Sequence, residues 1–274
     1  MSKQPQNRSE SSDNATPAAG QLVRGLSLIR AVIDAPAPIT LGELAERTGL
    51  DPSTTLRLTQ ILMAEGYLVR HESGKRYSAG PRSLSMLSPY HPMNTFRRET
   101  SEILQRLRDD IGETVGTVLF LGTERLILEI AQGREALAPF YDTWLKTPLH
   151  AAASGKVLLS FLGPKRRREL LGPEPFVAPT TRTLATYTEL EKCLSEVHTR
   201  GYALSVDDVH MGLTAVAAPF NHDNRALGCI VTVGSSTRLP HSACDAVGHT
   251  LRGAARLIAA ATPSVRPLAH YVGA

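Results

Sequence analysis

A group of side chains suited to reading a DNA duplex lies in a short segment that begins at Asp51-Pro52. Arginine donates to guanine or to a phosphate, glutamine pairs with adenine, hydroxyl groups reach phosphates or base edges, and an exposed leucine meets a thymine methyl group. If Thr55, Leu58 and Leu62 face inward on a helix, the opposite side is expected to face solvent. The candidate base and phosphate contacts on that side are Ser53, Thr54, Leu56, Arg57 and Gln60.

Two capping signals place this segment on the second of two short helices. Thr40 and Glu43 have the spacing of a capping box, in which each side chain bonds the backbone amide of the other residue. Gly49 permits the left-handed turn that ends the first helix. Asp51 is a strong N-cap, and Pro52 suits the first turn of the next helix. Two helices joined by a tight glycine turn are typical of a helix-turn-helix, whose second helix enters the major groove.

A basic β-hairpin is predicted directly after this helix. Residues 67–70 and 76–78 read as two strands, with residues 71–75 as the turn. Lys75 and Arg76 lie near its tip, where they can reach the phosphate backbone or the minor groove. From Pro52 to Arg82, five basic residues outnumber two acidic ones. This pattern indicates a winged helix-turn-helix that binds double-stranded DNA; the alternative is a helical unit whose hairpin contacts protein.

Several segments of this region resemble one known family. They are LGELAERTGL at residues 41–50, Ser53-Thr54, Arg57-Leu58, Glu65-Gly66-Tyr67, and YSAGPR at residues 77–82. Together they resemble the N-terminal domain of the isocitrate lyase regulator (IclR) family. The resemblance implies a transcription regulator that binds operator DNA as a homodimer or a dimer of dimers.

A second block of sequence is similar to the effector-binding domain of the same family, which has a GAF-like fold. The matching segments are PLHAAASGKVLL at residues 148–159, GYAL at 201–204, and Gly212 with VAAP at 216–219. The resemblance implies a pocket for a small-molecule effector. Small residues at a helix N-terminus let backbone amides approach an anionic or carbonyl group closely. The resemblance implies these candidate effector contacts: Ala153, Ser154, Ser205, Asp207, Thr214, Ala215, Thr232 and Gly234.

The sequence departs from the family at three places in this domain. Ser205-Val206 stands where relatives carry two aspartates, Thr214-Ala215 replaces arginine and cysteine, and His210-Met211 replaces an acidic pair. Less charge and smaller side chains suggest a roomier, more apolar pocket. We expect a carboxylate metabolite as effector, of aromatic or medium size.

Catalytic, metal and nucleotide sites have weaker signals. Ser154, His150 and either Asp207 or Asp208 have the chemistry of a hydrolase, but the sequence has no GxSxG motif. His210 with the same aspartates is more typical of a solvated loop than of a metal site. Residues 153–156 lack the first glycine and the final Ser or Thr of a phosphate-binding loop. We therefore expect no catalytic residue, metal or cofactor.

The predicted organisation is α+β, with the second domain built on a mainly antiparallel sheet. Strands are predicted at 114–121, 125–131, 215–221 and 227–234, and helices at 153–162, 166–171, 187–200 and 244–261. The predicted boundaries are a disordered tail at 1–20, a winged helix-turn-helix domain at 21–90, a linker helix at 91–111, an effector-binding domain at 112–262, and a C-terminal tail at 263–274.

The composition agrees with a globular chain without a membrane span. Hydrophobic residues make up 42% and charged residues 20%, and the formal net charge is +4, which permits binding to nucleic acid. Three widely spaced cysteines favour a reducing cytoplasm. The alternative from another class is a ligand-binding or oligomerisation module whose winged helix contacts protein.

Overall fold

The computed structural model of the chain describes residues 17–71, 75–84, 89–135 and 144–273. The chain divides into two compact units, Met1–Leu87 and Ser88–Ala274. In the described residues, no helix is long and apolar enough to cross a membrane. Helix α1 begins at Pro17, inside the segment predicted as a disordered tail, and residues 1–16 lie outside the described ranges.

The N-terminal unit combines helices with a small sheet. Its elements are α1 (Pro17–Ile33), β1 (Ile39–Thr40), α2 (Leu41–Thr48), α3 (Pro52–Ala64), β2 (Leu68–His71), β3 (Arg76–Ala79) and α4 (Pro81–Leu84). The antiparallel sheet has the order β1-β3-β2. Its core contains Leu28, Leu44, Leu58, Leu68 and Tyr77. The short β1 and α4 were not predicted, since two and four residues are too few to show a period.

Both predicted caps of α2 and α3 are present. The Glu43 carboxylate accepts from the Thr40 amide at 2.7 Å, and the Thr40 hydroxyl accepts from the Glu43 amide at 3.3 Å. Gly49 ends α2 with φ of 65°, a conformation that favours glycine. The Asp51 carboxylate accepts from the Thr54 amide at 2.9 Å. These bonds satisfy amides that have no partner inside the helices.

The C-terminal unit is built around a five-stranded antiparallel sheet of order β5-β4-β8-β7-β6. The predicted α+β class is confirmed. Its strands are β4 (Thr114–Leu121), β5 (Glu124–Ala131), β6 (Ala203–Val206), β7 (Leu213–His222) and β8 (Arg225–Ser235). Its helices are α5 (Pro92–Ile111), α6 (Ala153–Ser160), α7 (Pro164–Leu171), α8 (Tyr187–Arg200), α9 (His241–Ala261) and α10 (Val265–Leu268).

Each face of this sheet has its own hydrophobic core. Leu104 of α5 and Leu251 of α9 pack with Ile230 of β8 on one face. Val157 of α6 and Val231 of β8 pack on the other face. Because successive side chains of a strand point to opposite faces, β8 contributes to both cores and is buried along nearly its whole length.

Two segments predicted to lie outside the effector-binding domain, a linker helix at 91–111 and a tail at 263–274, contribute to the core of this unit. The predicted linker helix is α5, and its Met93, Phe96 and Leu104 are buried against the sheet. The described part of the predicted C-terminal tail, residues 263–273, also packs on this core: α10 buries Val265 and Leu268. The Gly273 amide donates to the Phe120 carbonyl at 2.6 Å. The prediction of a tail after residue 262 is therefore wrong.

Candidate nucleic-acid interface and effector cavity

Helix α3 presents most of the predicted DNA contacts to solvent. Ser53, Leu56, Arg57 and Gln60 are exposed, with 41% of Leu56 accessible, and Thr54 is half-buried. The residues predicted to face inward do so: Thr55 and Leu58 are buried, and Leu62 is partly buried against the core. The outward face therefore offers a guanidinium, an amide, hydroxyl groups and an apolar side chain on one surface.

The first turn of α3 is held by its capping residue. The Ser53 hydroxyl donates to the Asp51 carboxylate at 2.6 Å, and the Thr54 amide donates to the same oxygen at 2.9 Å. The bonds from Ser53 and Thr54 hold the pKa of Asp51 well below its usual range, so this carboxylate is ionised. Ser53 thus stabilises the helix start, while Arg57 and Gln60 make no such internal bond in the described chain.

The hairpin places its two predicted basic residues in different environments. Lys75 is exposed at the turn with φ of 51°. Arg76 donates to the Pro38 carbonyl at 2.8 Å and lies 3.7 Å from the Glu43 carboxylate, so it is tied to the body of the unit. Arg70 of β2 is exposed as well, although it was not predicted as a contact. Residues 72–74 of the predicted turn lie outside the described residues.

A cavity of about 70 Å³ opens between the start of α6 and the sheet. Its apolar wall consists of Leu145, Val209, Leu213, Val231 and Val233. The remaining lining residues are small or carry hydroxyl groups: Thr147, Ala152, Ala153, Ser154, Ser205 and Ala215. Four of the predicted effector contacts, Ala153, Ser154, Ser205 and Ala215, are thus brought together on one cavity.

The other four predicted effector contacts do not line this cavity. Thr214 and Thr232 sit beside lining residues on β7 and β8, and strand alternation turns them to the opposite face. The Thr232 hydroxyl donates to the Thr114 carbonyl at 3.0 Å, and the Thr214 hydroxyl donates to Ser236 at 3.0 Å. Gly234 lies against the Glu113 side chain.

Asp207 has a structural environment in the loop after β6. Its carboxylate accepts from the Ser236 hydroxyl and from the Gly212 amide, each at 2.7 Å. These bonds lower the pKa of Asp207. They also fix the sharp turn in which Asp207 adopts φ of 61°. The carboxylate therefore stabilises the 207–212 loop instead of facing the cavity.

The start of α6 approaches the preceding loop closely. A Cβ atom on Gly155 would lie 2.2 Å from the Leu149 carbonyl oxygen, so glycine is required for this contact. The N-cap residue, Ala152, has no side-chain oxygen to accept from the first helical amides. The first turn of α6, with Ala153 and Ser154, is therefore uncapped where it borders the cavity.

Two buried cations lie near the cavity and were not predicted as site residues. Arg125 of β5 is 3% exposed and donates to the Ser154 hydroxyl at 3.1 Å. Burial lowers the pKa of Arg125 to about 10. Lys156 of α6 forms a buried ion pair with Asp208 and donates to the Leu204 carbonyl at 2.9 Å. Burial raises the pKa of Asp208, although Lys156 opposes this effect.

The residues considered for hydrolysis are not assembled for that chemistry. The His150 ring nitrogen Nε2 bonds the Val177 carbonyl at 2.9 Å, and Ser154 is bonded to Arg125 instead of a histidine. Asp208 is paired with Lys156. Within the described ranges, no three His, Cys, Asp or Glu residues are grouped to hold a metal ion.

Two family descriptions match the chain, one for each unit. "IclR helix-turn-helix domain" matches residues 21–72. "Bacterial transcriptional regulator IclR C-terminal" matches residues 92–260, which is more than half of the chain. The two matches together span the surface of α3 and the cavity beside α6.

Individual relatives agree with these matches. The HTH-type transcriptional regulator BhcR of Paracoccus denitrificans is 27% identical over 219 residues, covering 80% of this chain and 78% of its own. The transcriptional repressor IclR of Escherichia coli is 27% identical over 214 residues, covering 76% of this chain and 78% of its own.

A solved structure shares the fold. It is an IclR homolog from Microbacterium hydrocarbonoxydans complexed with 4-hydroxybenzoate, with a TM-score of 0.76, 22% identity, and coverage of 90% of this chain and 99% of its own. The chain therefore belongs to the IclR family of bacterial transcriptional regulators, with an N-terminal helix-turn-helix domain that binds DNA and a C-terminal effector-binding domain.

Proposed function

We propose that this regulator reads its operator with the outward face of α3 and contacts the DNA backbone with Lys75 of the hairpin. The observation that carries the proposal is the exposure of Leu56, Arg57 and Gln60 on a helix whose opposite face is buried. Arg57 and Gln60 supply base contacts, while Ser53 and Thr54 reach phosphates near the helix start. Arg76, tied to Pro38 and Glu43, holds the hairpin against the unit and approaches DNA less freely than Lys75.

The regulator acts as a homodimer in this proposal, and two dimers pair where a tetramer forms. Helix α1 supports it, because Leu22, Leu26 and Ile33 are 65%, 51% and 46% exposed along its length. An exposed apolar face on a helix is typical of a protein interface. A two-fold dimer places two recognition helices on a pseudo-palindromic operator, with half-sites about one helical turn or a multiple of it apart. The three unpaired cysteines agree with a cytoplasmic location.

The effector binds in the cavity beside α6. The wall is apolar, as expected from the departures from the family, but about 70 Å³ is smaller than the pocket that we expected. An apolar cavity of ~150 Å³ holds benzene, so an aromatic ring requires this cavity to widen. The structural neighbour that is complexed with 4-hydroxybenzoate supports a small carboxylate as the ligand class.

Effector binding changes the affinity for DNA through the second unit. Helix α5 is anchored in the core of that unit by Phe96 and Leu104. A shift of the sheet around the cavity therefore moves α5, which changes the spacing of the two recognition helices in the dimer. The effector controls DNA binding only if its affinity differs between the DNA-bound and free forms.

Selection of genomic fragments by the purified full chain tests this function. We expect a small set of enriched fragments with two related half-sites, whose binding weakens linearly on a plot of log affinity against log salt concentration. A module that contacts only protein gives no enriched fragment and no salt dependence. That result would remove the DNA-reading role of α3.

A further inference from the structure

A buried arginine, Arg125, lies beside the effector cavity and has no acidic partner among the residues that the structure describes. Arg125 is 3% exposed, and no carboxylate in the described part of the chain forms an ion pair with it. Neutral oxygens hold its guanidinium: the Ser154 hydroxyl at 3.1 Å, the Leu145 carbonyl at 3.4 Å, and the Thr147 carbonyl and hydroxyl. A buried charge that lacks a counterion is unfavourable, so this site gains from an anion.

The residues that hold Arg125 also line the cavity. Leu145, Thr147 and Ser154 each contact the guanidinium and each contribute to the cavity wall. The Ser154 hydroxyl accepts from Arg125, and among the described residues it has no acceptor for its own proton. Hydrogen bonds in a chain polarise one another, so the guanidinium makes this hydroxyl a stronger donor. The cavity therefore presents a hydroxyl donor, Ser154, that is hydrogen-bonded to a positively charged guanidinium.

The other buried cation near the cavity does not compete for an anion. Lys156 is paired with Asp208, so its charge is balanced within the protein. Much of the remaining cavity lining is apolar and includes Val209, Val231 and Val233. A fitting ligand therefore has one group that accepts from the Ser154 hydroxyl and a small apolar part that matches the rest of the lining, within about 70 Å³.

We infer that Arg125, acting through the Ser154 hydroxyl, makes this cavity selective for a monocarboxylate with a short apolar chain. The inference rests on the proposed function, because it names the effector class of the same cavity. The carboxylate accepts from the Ser154 hydroxyl and balances the guanidinium, while the apolar chain lies against Val231 and Val233. A neutral amide of the same shape leaves Arg125 without a counterion and binds more weakly.

The test compares carboxylates from acetate to hexanoate, and benzoate, with the matching neutral amides on the full chain. We expect at least one carboxylate, at millimolar concentration, to raise the Tm by several degrees while its amide does not. In calorimetric titrations, Arg125→Met should raise the Kd of that carboxylate by about thirtyfold or more and Ser154→Ala by about tenfold, the range of hydrogen bonds to charged groups. Arg256→Met removes an exposed arginine of α9 and should leave the Kd unchanged.

The charge-retaining variant Arg125→Lys keeps the test decisive if Arg125→Met does not fold. It should still prefer a carboxylate to its amide. The inference is overturned if no carboxylate raises the Tm, if the amides bind as tightly, or if Arg125→Met binds the carboxylate like the wild type. A carboxylate that binds through Arg125 but leaves operator binding unchanged contradicts the proposed function instead. An effector that changes operator binding equally in wild type and Arg125→Met contradicts only this inference.

Discussion

Lys156 of α6 and Asp208 of the loop after β6 form an ion pair inside the effector-binding domain, with 4% and 11% of their side chains exposed. The pair joins the helix that carries Ser154 to the loop that carries Val209, and both of these residues line the cavity. Lys156 also donates to the Leu204 carbonyl at 2.9 Å. The ion pair therefore fixes two walls of the cavity relative to each other.

Replacing one partner of this ion pair should lower the free energy of unfolding more than replacing both partners. Lys156→Met leaves the Asp208 carboxylate buried without a partner, so we expect a loss of about 3–5 kcal/mol in the free energy of unfolding. The double variant Lys156→Met with Asp208→Asn should recover a large part of that loss. Urea unfolding of the second unit measures both values. Arg166→Met, which breaks an exposed pair with Glu169, is the control and should cost at most about 1 kcal/mol. Equal losses in the single and double variants would contradict the role of the pair.

Two glycine substitutions should have opposite effects on stability. Gly155→Ala places a Cβ atom 2.2 Å from the Leu149 carbonyl oxygen, which can move only if the backbone shifts. The second unit should therefore lose stability and ligand binding. Gly253 lies inside α9, and a Cβ atom added there would meet no neighbouring atom within 4 Å. Gly253→Ala should therefore stabilise the helix by about 0.5–1 kcal/mol. Thermal unfolding of both variants tests the close approach at the start of α6, and an unchanged Tm for Gly155→Ala would argue against it.

His150 should make the second unit less stable at mildly acidic pH. Burial lowers the pKa of His150 below its usual 6.5, although its bond to the Val177 carbonyl opposes this shift. The unfolded chain therefore takes up a proton more readily than the folded chain. The contribution of His150 is fully present above pH 6.5 and is lost as the pH falls through 6.5 toward the folded pKa. His150→Gln should flatten this part of the profile of Tm against pH. The exposed His241 provides the control, and identical profiles for His150→Gln and wild type would refute the prediction.

Lys75 should contribute affinity for DNA without sequence preference. Lys75→Asn removes the charge and keeps a residue that tolerates the observed φ of 51°. We expect weaker binding to all duplexes by a similar factor, and a salt slope reduced by about one. Fluorescence anisotropy at several salt concentrations measures this slope. A slope equal to that of wild type would show that Lys75 does not contact a phosphate.

The start and the exposed face of helix α3 could be predicted closely because their signals are local. Capping by Thr40, Glu43 and Asp51 depends on residues three positions apart, and the outward face of α3 follows from the helical period. Arg76 could not be placed this way, since its partner Pro38 lies 38 residues away in the chain.

The cavity was predicted less completely, because a resemblance identifies segments but not the face on which each side chain lies. Ala215 and Val233 line the cavity, whereas their neighbours Thr214 and Thr232 point to the other face. A shift of one residue reverses the face of every side chain in a strand.

Two further features, the burial of Arg125 and the packing of residues 265–272, have signals in the sequence. Arg125 lies two residues before the buried Ile127 on β5. Residues two apart on a strand point to the same face, so this spacing predicts that the Arg125 side chain points inward. Val265, Leu268 and Val272 recur at intervals of three and four residues, which is the spacing of one buried face. The segment after residue 262 is nevertheless too short for that period to distinguish a packed turn from a tail.

Binding of Arg57→Ala to the selected operator and to an unrelated duplex tests the central claim most directly. If the outward face of α3 reads bases, the substitution should weaken operator binding by about 1–3 kcal/mol and relax the preference at one position of each half-site. Arg256→Ala, in α9, should bind the operator like wild type. An operator affinity of Arg57→Ala equal to that of wild type, with an unchanged sequence preference, would contradict the account.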